Sequence, residues 1–183
     1  MSNNIYAKQT GVTLIELIIV IAIVAILAQV AVPSFVSSTQ RMRLLGHASA
    51  LSGTFSFARS EAIKRGVPVS VCASADGAAC LTNGNWEKGW IAFTDPTASG
   101  ASPASTAIIK IQPPLGGTDT LRASNSTSTM TFSRDGFAMM ASATSLITFA
   151  IHTTPTNNVA TRCVAVTNIG RLSTQLAGAG SCT

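Results

Sequence analysis

Charge is scarce in this chain of 183 residues, where Asp, Glu, Lys and Arg together make up 10%. The residues from which most active sites are assembled are scarcer still. There are two histidines, His47 and His152, and the four cysteines form no C-x-x-C pair, so no zinc site follows from their spacing. The stretch SADGAAC, Ser74 to Cys80, offers one acid, too few for a calcium loop. No G-x-S-x-G and no phosphate-cradling glycine loop occurs, and neither histidine has an evident nucleophile partner. These absences argue against an enzyme and against any cofactor or metal. No internal repeat is present either.

The net charge of +5 invites a nucleic-acid reading, but its location argues otherwise. From Gly66 onward the bases Lys88, Lys110, Arg122, Arg134, Arg162 and Arg171 are nearly matched by Asp76, Glu87, Asp95, Asp119 and Asp135. The excess sits at Arg41, Arg43, Arg59, Lys64 and Arg65, with Glu61 as the acid among them. The basicity therefore belongs to a stalk, and it says little about a DNA-binding head.

What the chain does have is a long apolar run, Val12 to Val32, broken only by Thr13, Glu16 and Gln29. At the helical rise it spans about 31 Å, the thickness of a bilayer core. A cleavable signal peptide ending near Ala28–Ala31 is the alternative, but the helical pattern continues beyond it. Leu44, Ala48, Leu51, Phe55, Ala58 and Ala62 recur at alternating steps of four and three, one apolar stripe that needs a surface to lie on. Pro33 is expected to bend or loosen this helix, and Gly66 with Pro68 to end it. After Pro68 the pattern changes to short runs bounded by Gly, Pro, Asn or Asp: VPVSVCA, WIAFTD, TAIIKIQ, TMTFSRDG, LITFAIH and TRCVAVTNIGRLST. We read these as strands, TNIGRLST as a tight turn, and Thr94–Thr106 and Pro113–Ser128 as loops. Trp86 and Trp90 read as core anchors. The expected architecture is α+β, a long N-terminal helix on an antiparallel β head.

The cysteines form two local pairs, Cys72 with Cys80 and Cys163 with Cys182. Three pairings are formally possible. We expect the local one, each closure contributing roughly 2.5–3.5 kcal/mol and implying an oxidising compartment such as the periplasm.

Glu16 is the anomaly. An acid inside a membrane helix costs on the order of 2.5–3.5 kcal/mol near the middle and less near the end. GVTLIEL, followed by the apolar run and Pro33, resembles the N-terminus of type IV pilins and type II secretion pseudopilins. FARSEAIKRGVPVSVCASADGAAC and WEKGWIAFTD look like the GspH/FimT branch, the FimT/FimU-like minor pilins and pseudopilins, with a thinner match through TFSRDG and a closing Gly-Arg. The resemblance implies a type IV pilin fold in four parts. Residues 1–11 would be a leader removed by prepilin peptidase after Gly11, with N-methylation of Val12, a position the family usually gives to Phe. Residues 12–33 would be the membrane and filament-core helix, 34–65 the amphipathic helix, and 66–183 the β-rich head.

It also implies the partner of Glu16. Cleavage exposes a positive amine on Val12, one turn away and at the positive end of the helix dipole. In the family the amine of one subunit meets the glutamate of another, so Glu16 and Pro33 would serve assembly with other minor and major pilins. The protein would first be anchored in the inner membrane with a periplasmic head, then sit at the filament tip on the cell surface. Positive charge flanking the span does not itself favour the leader side, since Lys8 and the chain's own amine precede the span while Arg41 and Arg43 follow within about ten residues.

Two alternatives come with the resemblance. Some FimT-like members take up double-stranded DNA in natural transformation through a C-terminal Gly-Arg-x-Arg. Here that stretch is Gly170-Arg171-Leu172-Ser173, lacking the second arginine, so the candidate contacts are Arg171, Arg162 and Arg134. The other alternative is a GspH-type pseudopilin of type II secretion.

Overall fold

A computed structural model describes residues 11–140 and 145–182. It is organised as two compact units, residues 1–38 and 39–183, with the helix α1 (Leu14–Arg65) shared between them. In the first unit every described side chain from Gly11 to Val36 is exposed, on a helix whose apolar residues lie on all its faces. α1 continues through Pro33. It ends at Arg65, where Gly66 takes φ +67° and its N–H still closes on Ala62 O at 3.0 Å.

In the second unit the stripe forms. Leu44, Ala48, Leu51, Phe55, Ala58 and Ala62 are all fully buried, and they lie against two antiparallel sheets rather than one. The first sheet contains β1 (Val69–Ala73), β2 (Trp90–Thr94), β3 (Ile108–Gln112), β5 (Thr129–Phe132) and β6 (Ala138–Met139), in the order β3-β2-β1-β5-β6. The second contains β4 (Thr120–Ala123), β7 (Leu146–His152), β8 (Arg162–Thr167) and β9 (Leu172–Leu176), in the order β4-β7-β8-β9. Phe55 of the helix joins them: its ring lies 6.1 Å from Phe132 of β5, 5.0 Å from Phe149 of β7 and 5.9 Å from Trp86. Tilted and edge-on ring pairs of this kind add to what area burial alone contributes.

β4 corrects the expectation of a loop over Pro113–Ser128. Leu121 and Ala123 point inward while Arg122 points out, but four alternating residues in a Ser/Thr/Gly-rich stretch are too few to stand out as a strand. TRCVAVTNIGRLST divides, as the turn signal implies, into β8 and β9.

Cys72 is bonded to Cys80 and Cys163 to Cys182. β1 is buried on both faces, and Cys72 shares its outer face with Ile91 and Phe93 in a small second core under the loops. Replacing Cys72 and Cys80 together by alanine is expected to cost about 2.5 kcal/mol, read as an earlier urea midpoint. Among the described residues no buried hydrophobic side chain precedes Leu44, and both disulfides lie beyond it, so residues 39–183 carry a core of their own.

Candidate functional site

Gly11, Val12 and Thr13 precede α1, and Leu14 is its first residue. Thr13 is therefore the cap, and its Oγ1 accepts a hydrogen bond from Glu16 N at 3.3 Å. Thr-x-x-Glu is the capping-box pattern: it ends the helix at a defined residue and places the Glu16 carboxylate one turn from Val12. Residues 1–10, the rest of the expected leader, lie outside the described residues. The helix behind Glu16 is long and apolar enough to cross a membrane, with a mean hydropathy of 2.9 over its most apolar window.

The three arginines considered for DNA part company. Arg162, on β8, turns one Nη onto the carbonyls of Val159, Ala160 and Thr161 at 3.1, 3.0 and 2.7 Å, which commits it to its own backbone. Arg171 lies in the β8–β9 turn closed by Thr167 N to Arg171 O at 3.0 Å, and Arg134 lies in the turn closed by Ser133 N to Phe137 O at 2.8 Å. These two turns adjoin, since Ala138 N bonds Asn168 O at 2.9 Å, so Arg134 and Arg171 share one end of the head. A third arginine that the sequence did not flag joins them. Arg59 of α1 donates from Nη1 to Gly170 O at 3.0 Å. Gly170 has φ +73°, and a Cβ there would collide with Gly136 O, so only glycine lets the turns close on Arg59.

Two buried carboxylates also escaped the sequence reading. Asp119 accepts from Arg43 Nε and Nη2 at 2.7 Å each, and His47 Nε2 approaches it at 3.4 Å, too obliquely to count as a hydrogen bond. Arg43 and His47 stand one helical turn apart, and that spacing was the available signal; nothing in the sequence marked Asp119 as their partner. Asp95 accepts from Ser70 Oγ at 2.8 Å, Gly100 N at 2.7 Å, Thr97 Oγ1 at 3.1 Å and Ser99 N at 3.2 Å. Burial pushes its carboxyl up, but the bonds from Gly100, Ser70, Thr97 and Ser99 together outweigh burial and hold it below the ordinary value. Both acids are engaged with protein donors, which suits structural roles. Among the described residues no group of three His, Cys, Asp or Glu is placed to hold a metal ion.

Burial lowers the His47 pKa, and Arg43 adds to this, against the pull of Asp119. In the unfolded chain the imidazole takes its proton near about 6.5, whereas in the fold it resists protonation. The unfolded state therefore binds more protons below that pH. Stability is complete above about 6.5 and declines as pH falls toward the lowered folded value. The urea midpoint should drop between about pH 7.5 and pH 5.5, and His47→Gln should flatten most of that drop.

An apolar helix opened by a Thr/Glu cap, carrying a disulfide-tied head of two antiparallel sheets, defines a pilin-type protein. Residues 6–28 match the prokaryotic N-terminal methylation motif, which implies processing by prepilin peptidase and assembly with other pilins. Residues 47–170, more than half of the chain, match the family described as type II transport protein GspH, and the chain belongs to that family.

Solved structures agree on the fold. The type IV minor pilin FimU of Pseudomonas aeruginosa PAO1 superimposes with a TM-score of 0.58 at 22% identity, covering 75% of this chain and 91% of FimU. The minor pseudopilin EpsH of the type 2 secretion system of Vibrio cholerae gives 0.52 at 13% identity, over 74% and 98%. No curated protein matches the chain.

Proposed function

We propose that this GspH-family protein is a minor pilin that helps initiate a type IV pilus and stays at or near its tip, without catalytic activity. The observation that carries the reading is Glu16: one acid, set at a capped helix start five residues after Gly11, in a stretch that is otherwise apolar to Val32 apart from Thr13 and Gln29. Cleavage after Gly11 would give Val12 a charged amine, the complement that the carboxylate of a neighbouring subunit needs. Pro33 would serve the bending of the packed helix. The inner membrane holds the protein before assembly.

The test is to tag the head near Thr183 in the producing cell and locate it on sheared filaments by immunogold labelling. Label confined to one end, with filament number falling severalfold on deletion, is the expected result. Label along the shaft would overturn the tip placement. Normal filaments with lost secretion of exported proteins would instead assign the protein to a type II secretion machine.

The DNA-receptor alternative retains Arg134 and Arg171 on one end of the head, while Arg162 is occupied by backbone carbonyls. It requires salt-sensitive duplex binding that Arg171→Ala abolishes.

A further inference from the structure

A cleft of about 390 Å³ opens between the last turns of α1 and the β8–β9 turn. Ser56, Arg59, Ser60 and Ile63 line one side, and Arg171 and Leu172 the other, with Gly170 between them. We propose that this cleft is a binding site for a carboxylate carried on an apolar segment of a partner polypeptide.

The argument starts from Arg59. Its Nη1 donates to Gly170 O, which holds the guanidinium across the cleft, and its Nε is buried with no acceptor among the described residues. A buried N–H left unpaired costs about 1–3 kcal/mol, so an arrangement that keeps one is suited to an acceptor arriving from outside. The edge left over, Nε with Nη2, is the pair of donors that Arg43 uses to grip both oxygens of Asp119 in this same protein. Nε itself is shielded, so binding would turn the guanidinium into the cleft and present that edge to a carboxylate, whose spacing matches the fork. Arg171 at the rim supplies a second positive charge. The Ser56 hydroxyl adds a donor, while that of Ser60 already serves Phe57 O.

The walls decide between carriers of the anion. Ile63 and Leu172 line the cleft with aliphatic carbon, and Phe137 and Ile169 stand exposed on the two adjoining turns. Such flanks suit a carboxylate set among apolar side chains and contribute little to a phosphodiester. A duplex needs a row of free cations on an open surface. Here Arg162 is committed to carbonyls, Arg122 is paired with Glu87, and Asp135 follows Arg134 in the same turn. The cations left are few, and Arg59 is recessed.

The experiment uses the full-length chain in detergent micelles, with arginine side chains labelled for NMR. The probes are a blocked Leu-Glu-Leu tripeptide, its Leu-Gln-Leu counterpart and a short DNA duplex. Leu-Glu-Leu is expected to shift the Arg59 Nε–H resonance, with millimolar affinity. The glutamine peptide should bind at least about tenfold more weakly, since a hydrogen bond to a charged group carries about that factor or more, and the glutamate peptide should bind Arg171→Ala severalfold more weakly for the loss of one exposed rim charge. Arg171 is exposed in a turn, so its loss should leave the fold intact; Ser56→Ala, also exposed, gives a second variant with a smaller expected loss. The proposal is overturned if saturating glutamate peptide leaves Arg59 unmoved or the glutamine peptide binds equally. It is equally overturned if the duplex, and not the peptide, perturbs Arg59 and Arg171. The measurement is made on the isolated chain, so its failure leaves the filament reading standing.

Discussion

Replacing Arg43 with methionine is expected to destabilise the head by about 3 kcal/mol, in the lower part of the range for breaking a buried ion pair. The cost comes from what is left behind. The Asp119 side chain is fully shielded from solvent, whereas that of Arg43 is 42% exposed. Without the guanidinium, the carboxylate is left with His47 Nε2 at 3.4 Å, too oblique to hydrogen-bond it. Removing the acid instead is cheaper, because a half-exposed guanidinium can turn to water. Asp119→Leu should therefore cost less than Arg43→Met, and the double variant less than the sum of the two. Asp119 immediately precedes β4, so the pair fixes the start of that strand against α1. Urea unfolding of residues 39–183 reads all three variants. A loss below about 1 kcal/mol for Arg43→Met would reduce the pair to an ordinary surface ion pair.

That pair also marks where sequence reading ends. The helix was legible because its signals are local. The apolar run, the four-and-three stripe and the Gly66–Pro68 stop each lie within one segment, and the stripe residues are the ones buried. Trp86 and Trp90 were legible for the same reason, as large apolar groups beside a turn, and both are fully buried. The strands were mostly legible from alternation, but β4 was not, since two inward residues make no pattern. Arg43 with Asp119, Arg59 with Gly170 and Asp95 with Ser70 join residues 76, 111 and 25 positions apart. Nothing in either partner's neighbourhood announces the other. The division into two sheets was hidden likewise, because it depends on which strands leave the first sheet to pair around β7. At the N-terminus the balance reverses. Glu16 was conspicuous in sequence as a lone acid in an apolar run, and the fold adds its cap by Thr13.

Glu16→Leu is expected to leave the processed protein in the membrane at normal levels and to reduce its recovery in sheared filaments by tenfold or more, since about 1.4 kcal/mol per subunit contact already gives that factor. Leucine improves the membrane segment, because a carboxylate there costs up to about 2.5–3.5 kcal/mol. Anchoring therefore does not explain the acid, whereas the proposed role in assembly would. In the proposed packing, the amine that cleavage after Gly11 would leave on Val12 is withdrawn from water together with whatever faces it. With Glu16 opposite, two opposite charges are removed as a pair; with leucine, a lone ammonium is buried, an uncompensated charge of the costly kind. Glu16→Gln separates charge from shape, since it keeps the volume and a hydrogen-bond acceptor but cannot neutralise the amine. It should fail nearly as badly as leucine. Gly11→Leu should give the same loss from the other side, by blocking cleavage so that the amine is never formed, and the uncleaved chain should be visible by its greater mass. If Glu16→Gln entered filaments as readily as the native chain, charge pairing would be the wrong account of this acid, and its place at the helix start would have to rest on capping alone.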